Sequence, residues 1–325
     1  MLGIPDVIPF YVRVLFALIF FILLLTSYFL GFFMIKTFIK NQKSYKNVHV
    51  FYFLYNLIVA DIFKNIPQLF VYLPMLAIDG LDMMDSKLIQ YVKLCAFLVF
   101  GSCFVFEILC EFQTLAYTAW VTLTICLSFN RFLTFFNPTI VRRNSKLQII
   151  ILCMLCWAIA IVFVVSKIFM NITKTYDYEN FTVKDDMSKS TDCAIVLYAI
   201  AIWAYNVSPT VLFLLYVLSF IRVRRFSKLR SNSAVSASKF EVKNSINFDK
   251  VILIQGFFIC ITWQLNILVE YFTSEVLYFM NDEKSFYFTW LESCLRVILS
   301  MINPITFFIC NRTAKDYFIS SFKFW

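Results

Sequence analysis

Charged side chains lie inside long apolar stretches of this sequence, and they are the first residues that could carry chemistry. Asp61 and Lys64 stand three residues apart within one such stretch. A charged side chain at the centre of a membrane costs about 2.5–3.5 kcal/mol on insertion scales, so it faces the interior of a helix bundle and is a functional candidate. The spacing leaves two interpretations open: a local ion pair that neutralises both residues, or part of a polar network that switches the bundle.

A second set of polar residues recurs on one face of an apolar segment near the carboxyl end. Glu292, Arg296 and Asn303 are separated by four and seven residues, which places them within about 40° of arc on a helix. That face would offer both signs of charge to a small ligand, while a self-contained pair between Glu292 and Arg296 is an equal alternative. Glu107 and Glu111 also share a helix face. One of them either reaches the same pocket or extends to the membrane surface.

The composition argues against most enzymatic and metal-dependent classes. The chain has one histidine, His49, which rules out a site with several histidine ligands, and its five glycines form no phosphate-binding loop. Most of the ten cysteines lie in apolar runs, where cysteine behaves as a small hydrophobic residue. We therefore predict a protein that is not an enzyme, uses no metal or cofactor and binds no nucleic acid.

The elements that position these residues are predicted to be membrane-spanning helices. The chain is 61% hydrophobic and 15% charged, against about 45–50% and 25% in soluble domains. A helix needs about 20 apolar residues to cross a bilayer. We predict an all-α membrane protein, a single seven-transmembrane helix bundle over residues 1–325. The predicted spans are about 9–35, 48–78, 106–136, 149–168, 193–221, 251–273 and 286–309.

One apolar segment does not fit this count. Residues 88–106 are apolar enough to form an eighth span, but a full crossing there would invert every downstream segment and place the basic loops outside. We interpret 88–106 as an interfacial or re-entrant element, or as part of an over-long third helix.

Charge asymmetry predicts the orientation of the bundle. Segments 36–47, 131–148, 222–250 and the tail from 310 together carry sixteen net positive charges, whereas each intervening loop is net negative. Basic residues stay on the cytoplasmic side, where they also suit anionic lipid. The amino terminus is therefore predicted outside and the carboxyl terminus in the cytosol. The sequons at Asn171 and Asn180 fall in a loop predicted outside, so both are candidate glycosylation sites.

Several short motifs stand in order on the predicted spans. The third span ends in Asn130-Arg131-Phe132, with Pro138 seven residues after the arginine. This resembles the Asp-Arg-Tyr signature of rhodopsin-like G-protein-coupled receptors, and among them the chain looks most like the nematode serpentine chemoreceptors. Other matching features are Asn56-Leu57-Ile58-Val59-Ala60-Asp61, similar to Asn-Leu-x-x-x-Asp, then Trp157, Pro209, and Asn303-Pro304-Ile305-Thr306-Phe307, similar to Asn-Pro-x-x-Tyr.

The resemblance implies a plasma-membrane chemosensory receptor, by likeness in a sensory cilium, that binds a small molecule and signals through a heterotrimeric G protein. It also implies a short amphipathic eighth helix over residues 311–322, and a disulfide between Cys193 and Cys103, the more external of two cysteines near the family position. The implied residues for ligand binding are Glu107, Glu111, Glu292 and Arg296. Those implied for switching and G-protein coupling are Asp61, Asn130, Arg131, Trp263, Asn303 and Pro304.

Three departures from the family pattern weaken specific parts of that mechanism. Asn130 replaces the acidic residue that would neutralise Arg131, Phe307 lacks a tyrosine hydroxyl, and Leu265 stands where a kinking proline is expected. The alternative function is a small multi-spanning transporter or channel. The absence of a detectable internal repeat and the few glycines argue against it.

Overall fold

The computed structural model describes residues 9–40, 50–74, 103–136, 146–177, 182–232, 256–269, 271, 282–310, 315, 318 and 319. Its helices are α1 Phe10–Lys40, α2 Val50–Pro67 with a π-helical continuation Gln68–Tyr72, α3 Cys103–Phe136, α4 Lys146–Phe169, α5 Asp192–Asn232, α6 Gly256–Val269 and α7 Asp282–Cys310. Two strands, β1 Thr173–Asp177 and β2 Thr182–Asp186, lie between α4 and α5.

Five helices in the described part of the chain are long and apolar enough to cross a membrane. These segments are Tyr11–Lys40, Glu107–Thr134, Lys146–Phe169, Asp192–Arg225 and Phe286–Ile309. The described chain is therefore mainly helical and consistent with a multi-pass membrane protein, as its composition predicts. Most of the 88–106 segment and most of the predicted eighth helix lie outside the described residues.

The outward faces of several helices carry large apolar side chains. Leu18 on α1, Met154 and Val162 on α4, and Trp203 on α5 are all exposed. Contiguous apolar surface of this extent is rare on soluble monomers and marks a membrane or partner interface. We infer that these faces meet lipid tails.

The interior of the bundle is built by helical periodicity. On α4 the buried residues are Ile149, Cys153, Cys156, Ala160 and Lys167, which recur at the spacing of one helix face. The larger buried cluster includes Trp120, Trp263, Leu57 and Phe53, and a second cluster includes Phe20, Leu24, Cys110 and Val297. α4 thus buries one narrow face, whereas a larger share of α7 is buried.

A β-hairpin follows α4 directly. Asn171 adopts a positive φ of 54°, a left-handed conformation that asparagine tolerates better than most residues and that often ends a helix. The amide of Ile172 then donates to the carbonyl of Lys167. β1 and β2 pair in antiparallel register from Thr173 opposite Asp186 to Asp177 opposite Thr182, which sets Lys174 opposite Asp185. From the sequence, this segment is predicted only as a loop.

Candidate functional site

Asp61 lies at the centre of a buried polar group between α1, α2 and α7. Lys64 donates to Asp61 over 3.0 Å, with both side chains almost fully buried. The Nδ2 of Asn303 donates to the other carboxylate oxygen over 3.3 Å. The local pair predicted as one alternative is therefore present, and it also has a hydrogen-bond partner on another helix.

The polar group extends from α7 through α2 to α1. The Ser300 hydroxyl lies 3.3 Å from Asn65 Oδ1, and Asn65 Nδ2 donates to the Ser27 hydroxyl over 2.9 Å. We name the set Ser27, Asp61, Lys64, Asn65, Ser300 and Asn303 the central network. Asp61, Lys64 and Asn65 lie within four residues on α2, and Ser300 and Asn303 are one turn apart on α7. Two helix faces therefore supply five of the six residues, and Ser27 of α1 supplies the sixth.

An aromatic cluster joins the central network to three further helices. The Lys64 ammonium lies 4.9 Å from the ring centroid of Trp120 on α3, a cation–π contact. Trp120 meets Trp263 of α6 edge to face at 4.9 Å, and Trp263 Nε1 donates to the Tyr205 hydroxyl of α5 over 2.7 Å. Tyr117 packs against Tyr205 at 5.0 Å. We name Tyr117, Trp120, Tyr205 and Trp263 the aromatic cluster.

Arg131 lies near the carboxyl end of α3 and is buried. The Tyr216 hydroxyl of α5 lies beside its guanidinium, and Ser128 donates to the same hydroxyl over 2.9 Å. Gly256, at the start of α6, packs so closely on the Tyr216 ring that a Cβ at this position would clash with it. Asn130 is also buried. This end of α3 is therefore held between α5 and α6.

The predicted ligand-binding residues form two separate pairings. Glu292 and Arg296 pair with each other through a hydrogen bond on α7, and the Tyr72 hydroxyl lies beside Arg296. Glu111 pairs instead with Lys167 of α4 over 2.7 Å. Glu107 is half-buried one turn away from Glu111. Glu292 and Arg296 are therefore paired on α7 with Tyr72 beside them, and the ligand-binding role of this face stays a prediction.

The hairpin is attached to the bundle by a group of charged residues whose pairing is not predicted from the sequence. Lys167 reaches Glu111 and Asp185 over 2.7 Å each, and Lys174 reaches Asp185 over 3.0 Å. The Tyr198 hydroxyl of α5 donates to Asp185. We name Glu111, Lys167, Lys174, Asp185 and Tyr198 the hairpin cluster. The available signal was Lys167, a lone basic residue at the end of an apolar span on the side predicted to be extracellular.

Burial and neighbouring charges lower the pKa values of two hairpin residues, Asp185 and Lys174. Burial tends to raise the pKa of Asp185, but Lys174, Lys167 and their hydrogen bonds outweigh it and hold that pKa below its ordinary range. Burial lowers the pKa of Lys174, and the nearby Asp185 carboxylate only partly offsets this. Both residues therefore release protons more readily in the docked hairpin than in water.

The remaining predicted site residues are placed as follows. Asn171 is exposed, and Asn180 lies outside the described residues. Cys193 is exposed with a free thiol, and the side chain of Cys103 lies outside those described, so the disulfide between them stays a prediction. Pro304 is buried next to Asn303 on α7. Among the described residues, no group of three or more His, Cys, Asp or Glu could hold a metal ion.

No protein-family model matches the chain, and no curated protein matches it. The contacts of the central network, the aromatic cluster and Arg131 are therefore the features that bear on function.

Proposed function

We propose that the chain is a seven-helix G-protein-coupled receptor of the plasma membrane that senses a small molecule and signals through a heterotrimeric G protein. The observation that carries the proposal is the continuous contact from the central network to the aromatic cluster. It connects side chains of α1, α2, α3, α5, α6 and α7. A rearrangement at any of these helices changes contacts with the others, as a receptor switch requires.

The ligand is proposed to act from the extracellular end of this connected set. Glu292 and Arg296 lie on the α7 face that also carries Ser300 and Asn303. A small polar compound that binds the outer ends of the helices and favours one packing of Trp263 against Trp120 would shift Lys64 at the same time. Binding can change the population of the two packings only by its difference in affinity for them.

Arg131 is the proposed contact with the G protein. Its guanidinium is held beside Tyr216 and near Gly256 on α6, while the neighbouring Asn130 carries no charge. A small separation of α6 from α3 would release the arginine toward the cytosol. Basic residues in the 222–250 segment would add attraction to acidic surface on the partner.

The decisive experiment replaces Arg131 and measures guanine-nucleotide exchange. We expect Arg131→Ala to abolish exchange on the G protein in cells screened with small polar and volatile compounds, while surface expression is retained. Lys189→Ala is the control, because Lys189 is an exposed basic residue in the segment predicted to be extracellular, and it should leave exchange nearly unchanged. Unchanged coupling in Arg131→Ala would reject the proposal.

A transporter or channel is the second candidate, and one observation favours it. Asp61 and Lys64 form a deeply buried ion pair, an arrangement also used in membrane proton relays. Purified protein in lipid vesicles without any G protein provides the test. Proton or solute flux that Asp61→Asn removes would favour transport over signalling.

A further inference from the structure

The contact between α3 and α4 is lined by small residues. Thr122 and Cys126 on α3 and Cys156 on α4 lie along it. The Thr122 hydroxyl lies 3.5 Å from the Cys156 carbonyl oxygen, so the side chain of one helix reaches the backbone of the other. Small residues permit this close approach between membrane helices.

Two thiols meet at this contact. The sulfur of Cys156 lies 3.6 Å from the sulfur of Cys126 and donates a hydrogen bond to it. A disulfide needs a separation of about 2.05 Å, which a small rotation of the two side chains and a slight approach of the helices would supply. Both cysteines carry free thiols in the structure.

The two thiols differ in access. Cys126 is partly exposed, whereas Cys156 is buried. Cys153, one turn before Cys156 on α4, is a third buried thiol nearby. Two thiols at this distance can be joined by a disulfide once one of them is oxidised, because the second sulfur can then displace the oxygen bound to the first.

We propose that Cys126 and Cys156 are an oxidation site for lipid hydroperoxides, whose reaction links α3 to α4 by a disulfide. Both helices are among those apolar and long enough to cross a membrane, so an oxidant that concentrates in lipid would meet them at the highest local concentration. Hydroperoxides of unsaturated lipids concentrate there, and charged water-soluble oxidants do not.

The hydroperoxide oxidises the two thiols to a disulfide in two steps. The Cys126 sulfur attacks the terminal peroxide oxygen, the O–O bond breaks, and the lipid alcohol leaves with the Cys126 proton, which yields a sulfenic acid. The Cys156 sulfur then attacks that sulfur, the S–O bond breaks, and the hydroxyl leaves as water with the Cys156 proton. One hydroperoxide is reduced to an alcohol and water, and two thiols are oxidised to one disulfide.

This inference does not depend on the proposed receptor function, because neither cysteine belongs to the central network or the aromatic cluster. The disulfide would fix α3 against α4 five residues from Arg131. In a receptor it would restrain the coupling end of α3, and in a transporter it would restrain the same helix pair.

The test treats the full chain in lipid nanodiscs with phosphatidylcholine hydroperoxide, followed by intact mass and non-reducing peptide mapping. We expect the loss of two hydrogen atoms and a peptide that joins Cys126 to Cys156, reversed by a phosphine reductant. The water-soluble oxidant glutathione disulfide should produce much less of it. A link between Cys153 and Cys156, overoxidised Cys126 without any link, or unreacted thiols would overturn the proposal.

Three serine variants sharpen the assignment. Cys126→Ser and Cys156→Ser should each abolish the linked peptide, whereas Cys153→Ser, the matched control on the same helix, should retain it. Tryptophan fluorescence of each reduced variant reports whether it folds. The wild-type peptide map identifies the linked cysteines even if one variant fails to fold.

Discussion

The central network and the hairpin cluster both bury a lysine against carboxylates, but they connect the molecule in different ways. In the central network, Lys64 and Asp61 belong to the same helix and lie three residues apart. In the hairpin cluster, Lys167 joins Glu111 of α3, 56 residues away, to Asp185 of β2. Charge is balanced within one element in the first case and between elements in the second.

This difference determines what each ion pair does for the fold. In the central network the contacts between helices are hydrogen bonds from neutral groups, such as Asn303 to Asp61 and Asn65 to Ser27. The ion pair makes the Asp61 charge tolerable inside the bundle. In the hairpin cluster the ion pairs are themselves contacts between elements: Lys167 with Glu111 joins α4 to α3, and Lys167 with Asp185 attaches the hairpin to α4. Loss of the pair at Asp185 should therefore release the hairpin.

Replacing Lys64 should have the largest effect on stability. Lys64→Met leaves the Asp61 carboxylate buried without the cation that pairs with it, and breaking a buried pair in this way costs about 3–5 kcal/mol. We expect the free energy of unfolding to fall by an amount near the top of that range, measured by unfolding in sodium dodecyl sulfate with tryptophan fluorescence. Lys36→Met removes an exposed lysine of α1 and should change the unfolding free energy little.

A double variant separates the charge effect from packing. Asp61→Asn combined with Lys64→Met removes both charges and should recover most of the lost stability, because no uncompensated charge remains. If Lys64→Met unfolds like the wild type, the central network does not depend on local charge balance.

Replacing Lys167 should have a smaller and differently located effect. In Lys167→Met, Lys174 still neutralises Asp185. We therefore expect the free energy of unfolding to fall by about 3 kcal/mol, the low end of the range for a broken buried ion pair. Amide hydrogen exchange should accelerate in β1 and β2 and stay unchanged around Trp120. The exposed Lys189 supplies the control variant Lys189→Met. Acceleration spread evenly over the bundle would show that the cluster supports the helices and not the hairpin.

The two regions also differ in how far the sequence could predict them. Asp61 and Lys64, or Glu292 and Arg296, are recognisable because helical spacing alone brings them together. The pairing of Lys167 with Asp185 requires the turn at Asn171 and the register of β1 with β2, neither of which spacing reveals. For the same reason Glu111 could be assigned to a helix face but not to its partner Lys167.

The fold shows a similar limit. Apolar length predicts several membrane-crossing helices, since hydropathy and helix geometry set it directly. It does not predict where a helix ends in water: α5 continues to Asn232, beyond the apolar run that stops near residue 221. The arginines and lysines after that run are good helix formers, so the helix continues beyond the last apolar residues.

The smallest predicted effect is the response of the hairpin cluster to pH, which the central network should not share. Asp185 has a pKa below its ordinary 3.8, and Lys174 has a pKa below its ordinary 10.5. The docked hairpin thus binds fewer protons than the undocked one at both residues, so docking strengthens as pH rises. The contribution of Asp185 to the stability of the docked hairpin is present above about pH 4 and disappears as pH falls through the lowered pKa of Asp185. The Lys174 contribution appears between its lowered pKa and about 10.5, because an uncharged lysine is easier to bury.

Fluorine NMR of 3-fluorotyrosine at Tyr198 can follow this response, because the Tyr198 hydroxyl donates to Asp185. Lys167 of α4 and Lys174 of β1 face the same carboxylate, with Glu111 of α3 beyond Lys167. Asp185→Asn should remove the acidic transition, and Lys174→Met should remove the alkaline one. A transition of opposite sign, with docking favoured by acid, would mean that a different group controls the hairpin. Identical transitions in Lys64→Met would confirm that the two buried lysines act independently.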